Sequence, residues 1–191
     1  MTSVYLAGPD VFLPDAFEIG RRKIDLCMRH GLSGLYPLDN AIDPAAEGAS
    51  LRIFRGNETM MSAADAIIAN LTPFRGPGAD AGTVYELGYM AGLGKLCLGY
   101  SNVPSSYADR VRQITEVVGR DGRLVDAAGM TVEDFGLGDN LMMIHALDLH
   151  GCALISPQQQ SADIWHDLIA FETCVRMAAE RLAAMRPRAT R

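Results

Sequence analysis

The sequence predicts an α/β domain built on a doubly wound parallel sheet of about five strands with flanking helices. Short, continuous apolar runs alternate with longer segments of helical periodicity, no internal repeat interrupts the pattern, and 49% of the 191 residues are hydrophobic. Continuous apolar strands indicate a sheet that is buried on both faces, and right-handed crossovers place a helix over each pair of parallel strands. The length fits a single domain over residues 1–191.

The strand candidates are five short apolar runs, which lie at residues 4–7, 34–37, 66–71, 96–100 and 152–155. Helical periodicity predicts helices at about 15–30, 50–63, 83–94, 139–149 and 162–185. The segment 101–137 is rich in Gly, Ser and Asp and poorly periodic, which predicts a long loop with room for one short helix. A loop of that length inside a compact domain is often functional.

Composition and charge narrow the class of protein. Seventeen Lys and Arg residues against 23 Asp and Glu leave a net charge of −6 and no basic stripe, which argues against a nucleic-acid polymer as partner. No apolar stretch reaches the roughly 20 residues that cross a bilayer, and the first residues lack the features of a signal peptide. The four histidines have no metal-ligand spacing. We therefore expect a cytoplasmic protein with no membrane partner, no metal and no cofactor.

In doubly wound sheets, ligands bind in the crevice at the carboxyl ends of the strands. This rule selects the polar residues and turns that directly follow a strand or begin the next helix: Gly8, Pro9, Asp10, Asp39, Asn40, Asn57, Asp80 and Glu86. Asp65 begins the third strand and lies at the opposite edge, so its predicted role is structural.

Glu86 is the best nucleophile that the sequence offers, because no Ser or Cys lies in a nucleophile elbow. It follows a buried strand and a Gly/Pro loop, in the predicted first turn of a helix. On the pattern alone, Thr83 and Glu86 form a capping box that satisfies free amides at the helix end. Alternatively, the helix N-terminus lowers the pKa of Glu86 and keeps an ionised carboxylate at the crevice, as attack on a sugar carbon requires. The two interpretations are compatible.

Three other residues near this edge have two interpretations each. Asp80 is either a second acid that binds sugar hydroxyls or an ordinary turn residue in a Gly-rich loop. Tyr5 is either a core aromatic or a hydroxyl donor that orients the carboxylate. Asp10 is either a turn residue or an acid that faces the ligand.

Four segments in order resemble the nucleoside 2-deoxyribosyltransferases: residues 4–12, residues 36–40, the spacing from Asp80 to Glu86 followed by residues 87–89, and residues 139–142. The resemblance covers roughly residues 4–145, so the C-terminal helix lies outside it. It implies a flavodoxin-like fold and transfer of a 2-deoxyribosyl group between deoxyribonucleosides and free nucleobases.

The resemblance also implies roles for individual residues. Glu86 would attack the anomeric carbon, Tyr5 would orient it, and Asp80 would bind a sugar hydroxyl. Asn140, with Met142 nearby, would come from a neighbouring subunit and reach the 5′-hydroxyl, which requires a homodimer or a higher homo-oligomer.

The remaining substrate-binding candidates are Gly8, Asp10, Phe12 and Asn57, around the base. Asn57 stands where many members have an acid that protonates the departing base. An amide donates a hydrogen bond but no proton at neutral pH, so either hydrogen bonding suffices or another acid such as Asp10 assists.

The mechanism that the resemblance implies is a double displacement with retention, through a covalent deoxyribosyl ester of Glu86. One rival is a hydrolase of deoxynucleoside 5′-monophosphates, which would need a positive pocket from Arg52, Arg55 or Arg75. Another is a noncatalytic nucleoside-sensing module in which Glu86 only caps its helix.

Overall fold

A computed structural model describes residues 2–39, 42–43 and 45–185; Asn40, one of the predicted edge residues, lies outside this part of the chain. The centre of the fold is a parallel sheet of four strands: β1 (Ser3–Ala7), β2 (Ser33–Leu35), β3 (Ala66–Asn70) and β4 (Leu96–Tyr100). The strand order is β2-β1-β3-β4, and every neighbouring pair is parallel. The chain therefore reverses its direction of winding between β1 and β3, which confirms the doubly wound, flavodoxin-like class.

Six helices accompany this sheet in the described part of the chain: α1 (Ala16–Arg29), α2 (Ala49–Ala63), α3 (Ala81–Gly92), α4 (Tyr107–Ile114), α5 (Leu141–His150) and α6 (Ile169–Met185). Successive side chains along each strand point to opposite faces of the sheet. Val4 and Leu6 join a core that includes α1 and α6, whereas Tyr5 and Ala7 join one that includes α2, α3 and α5. Tyr5 consequently points to the same face of the sheet as α3, the helix that carries Glu86.

The predicted fifth strand at 152–155 does not form as a regular strand. Only two isolated parallel bridges join this segment to β4, Cys97 with Gly151 and Tyr100 with Ile155. The bridges are three residues apart in β4 and four apart in the other segment, so one extra residue breaks the ladder. The sheet therefore has four regular strands, and an irregular segment lies along the edge formed by β4.

The segment 101–137 is more ordered than predicted. It contains the one expected helix, α4, but also an antiparallel sheet of β5 (Val117–Arg120), β6 (Arg123–Asp126) and β7 (Thr131–Val132). Asp121 and Gly122 have φ values of 50° and 75°, as the two central residues of a type I′ hairpin turn require. The Asp-Gly dipeptide is a strong hairpin signal, so this element was visible in the sequence.

Several helix boundaries also differ from the prediction. Helix α3 begins at Ala81, two residues before the predicted start, and α6 begins at Ile169 instead of 162. Asp65 lies where predicted, at the amino end of β3, and its carboxylate accepts a hydrogen bond from the Ser3 amide at 2.8 Å. None of the helices described is long and apolar enough to cross a membrane.

Candidate active site

A cavity of about 310 Å³ lies at the carboxyl edge of the sheet, next to the point where the winding reverses. Its volume is at the lower end of the 300–1,000 Å³ range typical of small-molecule sites. Its lining comes from the turns after β1 and β2, from α2 and from the start of α3: Gly8, Val11, Phe12, Pro37, Leu38, Ile53, Asn57, Asp80, Gly82, Thr83 and Glu86. Five predicted residues, Gly8, Phe12, Asn57, Asp80 and Glu86, thus meet in one cavity.

Glu86 and Tyr5 form a direct hydrogen bond in this cavity. The Tyr5 hydroxyl donates to Glu86 Oε1 at 2.6 Å, and the tyrosine is fully buried. Such a short distance is typical of a hydroxyl that donates to a charged oxygen. Tyr5 is therefore both a core aromatic and a donor to the carboxylate, which unites its two sequence interpretations. Burial and the neighbouring Glu86 raise the pKa of Tyr5, so its hydroxyl remains protonated.

The pKa of Glu86 shifts in the direction opposite to the one predicted from the helix N-terminus. Burial raises it to about 7, the hydrogen bond from Tyr5 lowers it, and the charge of Asp80 raises it. Glu86 is the sixth residue of α3, beyond the first turn where the helix dipole acts, so desolvation dominates. A carboxyl with this pKa is about half ionised at neutral pH and is suited to chemistry there.

Asp80, not Thr83, caps α3. Its Oδ2 accepts hydrogen bonds from the Thr83 amide at 2.9 Å and from the Thr83 hydroxyl at 3.1 Å. The capping-box prediction for Thr83 and Glu86 was therefore wrong, because the helix starts earlier and the true cap is the aspartate that precedes it. Glu86 therefore has no part in capping the helix. A side chain at Gly82 would place its Cβ 3.1 Å from Asp80 Oδ2, so glycine keeps this carboxylate uncrowded.

Phe12 and Asn57 belong to the other walls of the cavity. The Phe12 ring is 55% exposed and stacks on Phe74 with a centroid distance of 5.3 Å and an interplanar angle of 12°. Gly8 forms the turn after β1 and must be glycine, because a Cβ there would lie 2.3 Å from Asp10 Oδ2 and 2.8 Å from Asn70 Cβ.

Asp10 lies in the protein interior and does not line this cavity. It is 1% exposed, its Oδ2 lies 2.6 Å from Lys23 Nζ, and its Oδ1 accepts from Asn70 Nδ2 at 3.1 Å. The expectation of an acid that faces the ligand is therefore corrected: the buried lysine and asparagine draw its carboxylate inward.

Asn140 and Met142 also lie outside this cavity. Asn140 caps α5, where its Oδ1 accepts from the Met142 amide at 3.0 Å and its Nδ2 donates to Glu133 at 3.0 Å. The Met142 side chain is 73% exposed. Their contribution to a neighbouring subunit remains a prediction.

The sequence did not predict the ion pair between Arg110 and Asp139. This pair joins the loop before α3 to the loop before α5, next to the site. Arg110 is 5% exposed and Asp139 is 2% exposed, with 3.3 Å between Arg110 Nη2 and Asp139 Oδ2. Arg110 also donates to the carbonyls of Pro77, Ser105 and Gly138, and Asp139 accepts from the amides of Ala79 and Asn140. The pair thus ties the loop before Asp80 to the start of α5. Its partners are about 30 residues apart, so no local pattern reveals it.

No group of three or more His, Cys, Asp or Glu side chains in the described residues could hold a metal ion. A larger depression of about 650 Å³ lies at the opposite edge of the sheet, around Gly94, Asp148 and Arg181. That edge holds the amino ends of the strands, so the cavity that contains Glu86 is the one at the expected ligand position.

Fold and site together define a flavodoxin-like α/β protein with a half-buried, partly ionised carboxylate in a cavity at the strand switch point. The family model described as nucleoside 2-deoxyribosyltransferase matches residues 4–142. The chain therefore belongs to the nucleoside 2-deoxyribosyltransferase family, and this membership supports an enzyme of that kind.

One curated protein and two solved structures are similar to this chain. An uncharacterized protein of Schizosaccharomyces pombe is 34% identical over 155 residues, which cover 73% of this chain and 74% of the relative. A solved 2-desoxiribosyltransferase from Leishmania mexicana is 30% identical, with a TM-score of 0.64 and coverage of 94% of this chain and 98% of that one. A conserved protein from Enterococcus faecalis V583, at 21% identity, TM-score 0.60 and coverage of 95% and 99%, is similar in fold.

Proposed function

We propose that the protein transfers a 2-deoxyribosyl group from one nucleobase to another through a covalent intermediate on Glu86. The observation that carries this proposal is the short hydrogen bond between Tyr5 and Glu86 in a cavity at the ligand edge of the sheet. Tyr5 holds Oε1, which leaves Oε2 as the attacking atom. When ionised, the half-buried carboxylate supplies both a nucleophile and a negative charge next to the anomeric carbon.

The first half-reaction forms an ester. Glu86 Oε2 attacks the anomeric carbon, the glycosidic C–N bond breaks, and its electron pair leaves with the base. Asn57 donates a hydrogen bond to the departing base, whose proton comes from solvent because an amide has none to give. The transition state resembles an oxocarbenium ion, which an anion in a low-dielectric cavity stabilises.

The second half-reaction repeats the displacement. A nitrogen of the incoming base attacks the anomeric carbon from the original face, its N–H proton passes to solvent, and the Glu86 carboxylate leaves, which gives overall retention. Asp80 binds a sugar hydroxyl. A 2-deoxy sugar lacks the electron-withdrawing hydroxyl that would disfavour the cation, which accounts for the proposed preference.

We also propose that Asn140 and Met142 complete the site of a neighbouring subunit, so that the active form is a homodimer or larger. They lie at the exposed start of α5 and outside their own chain's cavity. Deoxyribonucleosides and free bases are the expected partners, in a cytoplasmic nucleoside-salvage role.

Hydrolysis of deoxynucleoside 5′-monophosphates is less well supported. None of the three candidate arginines lines the cavity, where Asp80 and Glu86 would repel a phosphate. Arg52 donates to the Glu47 carbonyl, and Arg55 borders a different depression. The Arg75 guanidinium lies next to the cavity wall, 4.6 Å from the centre of the Phe74 ring and 5.3 Å from that of Phe12.

The test is base exchange. The protein is incubated with 2′-deoxyinosine and adenine, and products are separated by chromatography; we expect 2′-deoxyadenosine. Glu86→Gln should reduce the rate by about a thousandfold or more, as expected when a nucleophile is lost, while Glu172→Gln on the distant α6 should not. Release of base from deoxynucleoside monophosphates only would support the hydrolase, and binding without turnover would support the sensing module.

A covalent adduct provides the second readout. A 2-fluoro deoxynucleoside should slow the second displacement and leave a sugar attached to Glu86, which peptide mass spectrometry can locate. Exchange by Glu86→Gln at the wild-type rate would refute the proposed function.

A further inference from the structure

The segment 161–168, which precedes α6, carries the only tryptophan in the sequence, and ring contacts link this residue to the wall of the cavity. The family match ends at residue 142 and does not include this segment. Trp165 contacts the ring of Phe74 edge-on, with a centroid distance of 6.1 Å and an interplanar angle of 87°. Phe74 in turn stacks on Phe12, which lines the cavity. Three aromatic residues from separate parts of the chain therefore form one row of ring contacts, the aromatic stack of Phe12 and Phe74 with Trp165 edge-on against it.

A buried asparagine fixes the position of Trp165. Asn102 follows β4 and is 2% exposed, and its Nδ2 donates to the carbonyls of Ile164 at 2.7 Å and Asp167 at 2.9 Å. Both amide hydrogens are thus used, one on either side of Trp165. The Asn102 backbone amide donates to Thr72 Oγ1 at 3.0 Å.

The same hydrogen-bond network continues to the turn that carries Phe12. The Thr72 amide donates to Asn70 Oδ1 at 3.1 Å, Asn70 Nδ2 donates to Asp10 Oδ1 at 3.1 Å, and Asp10 pairs with Lys23. All four residues are at most 1% exposed. Because buried polar groups are costly to leave unpaired, such a network holds its members in one arrangement. Phe12 and Trp165 are therefore connected twice, by the aromatic stack and by this network.

The walls of the cavity divide by chemistry. The turns after β1 and β2 contribute Val11, Phe12 and Leu38, whereas α3 contributes carboxylates. A sugar with hydroxyls fits the acidic wall, and a flat nucleobase fits an aromatic ring on which it can stack.

We infer that Trp165 is a positioning residue for base binding: its edge contact sets the orientation of Phe74, and Phe74 sets Phe12 against the nucleobase. The inference rests on the proposed function insofar as the ligand carries a nucleobase. It assigns to a segment outside the family match a part in recognition of the base, and none in the chemistry at Glu86.

The test measures the Kd for adenine by isothermal titration calorimetry in Trp165→Leu, Trp165→Phe, Phe74→Leu and the double variant Phe74→Leu/Trp165→Leu. We expect about fivefold weaker binding for each leucine variant, the scale of one aromatic pair. Trp165→Phe should restore binding to within about twofold, and the double variant should bind like Phe74→Leu, because Trp165 acts through Phe74. Phe17→Leu, at a ring that is 71% exposed, is the matched control.

Base exchange adds a readout that a purely structural role would not give. In Trp165→Leu, the KM for adenine should rise by the same factor as the Kd, while kcat stays within about twofold of wild type. In the wild-type protein, adenine should change the emission of Trp165, and this response should fall at least about threefold in Phe74→Leu, as expected if Phe74 transmits it. The emission measurement needs no variant at position 165 and serves if Trp165→Leu does not fold.

Any of three results would overturn the inference: wild-type affinity for adenine in Trp165→Leu, losses of affinity that multiply in the double variant, or an unchanged emission response in Phe74→Leu. So would a wild-type protein that binds no adenine. Adenine binding without base exchange would instead reject the proposed function, and the calorimetric comparison would still decide the role of Trp165.

Discussion

Replacing Tyr5 by Phe removes the hydroxyl that donates to Glu86 and keeps the buried ring. A hydrogen bond to a charged group contributes about 1.5–3 kcal/mol, and one pKa unit corresponds to about 1.4 kcal/mol. Because the bond stabilises the ionised carboxylate, its loss should raise the pKa of Glu86 from about 7 by roughly one to two units.

The consequence is a change in pH dependence. At pH 7 about half of the wild-type Glu86 is ionised, against roughly 1–10% in Tyr5→Phe. If the ionised form attacks the sugar, base exchange at pH 7 should fall roughly five- to fiftyfold and recover towards pH 9.

The assay is kcat/KM for base exchange from pH 5 to pH 10. The midpoint of the acidic limb should move to higher pH in Tyr5→Phe and stay in place in Tyr85→Phe. The second change is at an exposed position of α3 and removes a hydroxyl that donates to Glu58 of α2. A uniform loss at every pH, with the midpoint unmoved, would refute the electrostatic reasoning and leave Tyr5 only a steric role.

Three stability measurements follow from the buried charges. The pKa of Glu86 is about 7 in the folded protein against a usual 4.5. Its contribution to the free energy of unfolding is therefore fully present below pH 4.5 and is lost as the pH rises through 7. In urea unfolding, the free energy of unfolding of Glu86→Gln should therefore rise relative to that of wild type by on the order of 2–3 kcal/mol between pH 4.5 and pH 8. A difference between the two proteins that stays constant over this pH range would contradict the prediction. Arg110→Met leaves Asp139 buried without its partner and should cost about 3–5 kcal/mol in thermal unfolding, with a loss below about 1 kcal/mol as the contrary result. Lys23→Met should cost a similar amount by stranding Asp10, and adding Asp10→Asn should recover part of the loss.

Much of the fold and of the candidate site could be predicted from local patterns. Apolar runs that alternate with helical segments determined the doubly wound sheet, because each strand must be buried on both faces. The rule that ligands bind at the carboxyl ends of strands then selected Gly8, Asn57, Asp80 and Glu86, and the resemblance to a known family added Phe12. Gly8 directly follows β1 and Asp80 directly precedes α3, whereas Asn57 and Glu86 lie within the helices that follow strands, and these positions are properties of the chain itself.

Other features depend on neighbours that are distant in sequence. The pKa of Glu86 rises because the folded protein removes water around it, and no spacing rule reports burial. Asp10 turns inward because Lys23 and Asn70 converge on it.

The sequence by itself therefore determined which residues lie at the ligand edge and which of them carry charge. Only the tertiary structure decided how those charges are solvated and paired, and that Trp165 meets Phe74 from the far end of the chain. The physical reason is that strand and helix patterns depend on residues that are close in sequence, whereas desolvation, ion pairing and ring contacts arise when separate segments pack together.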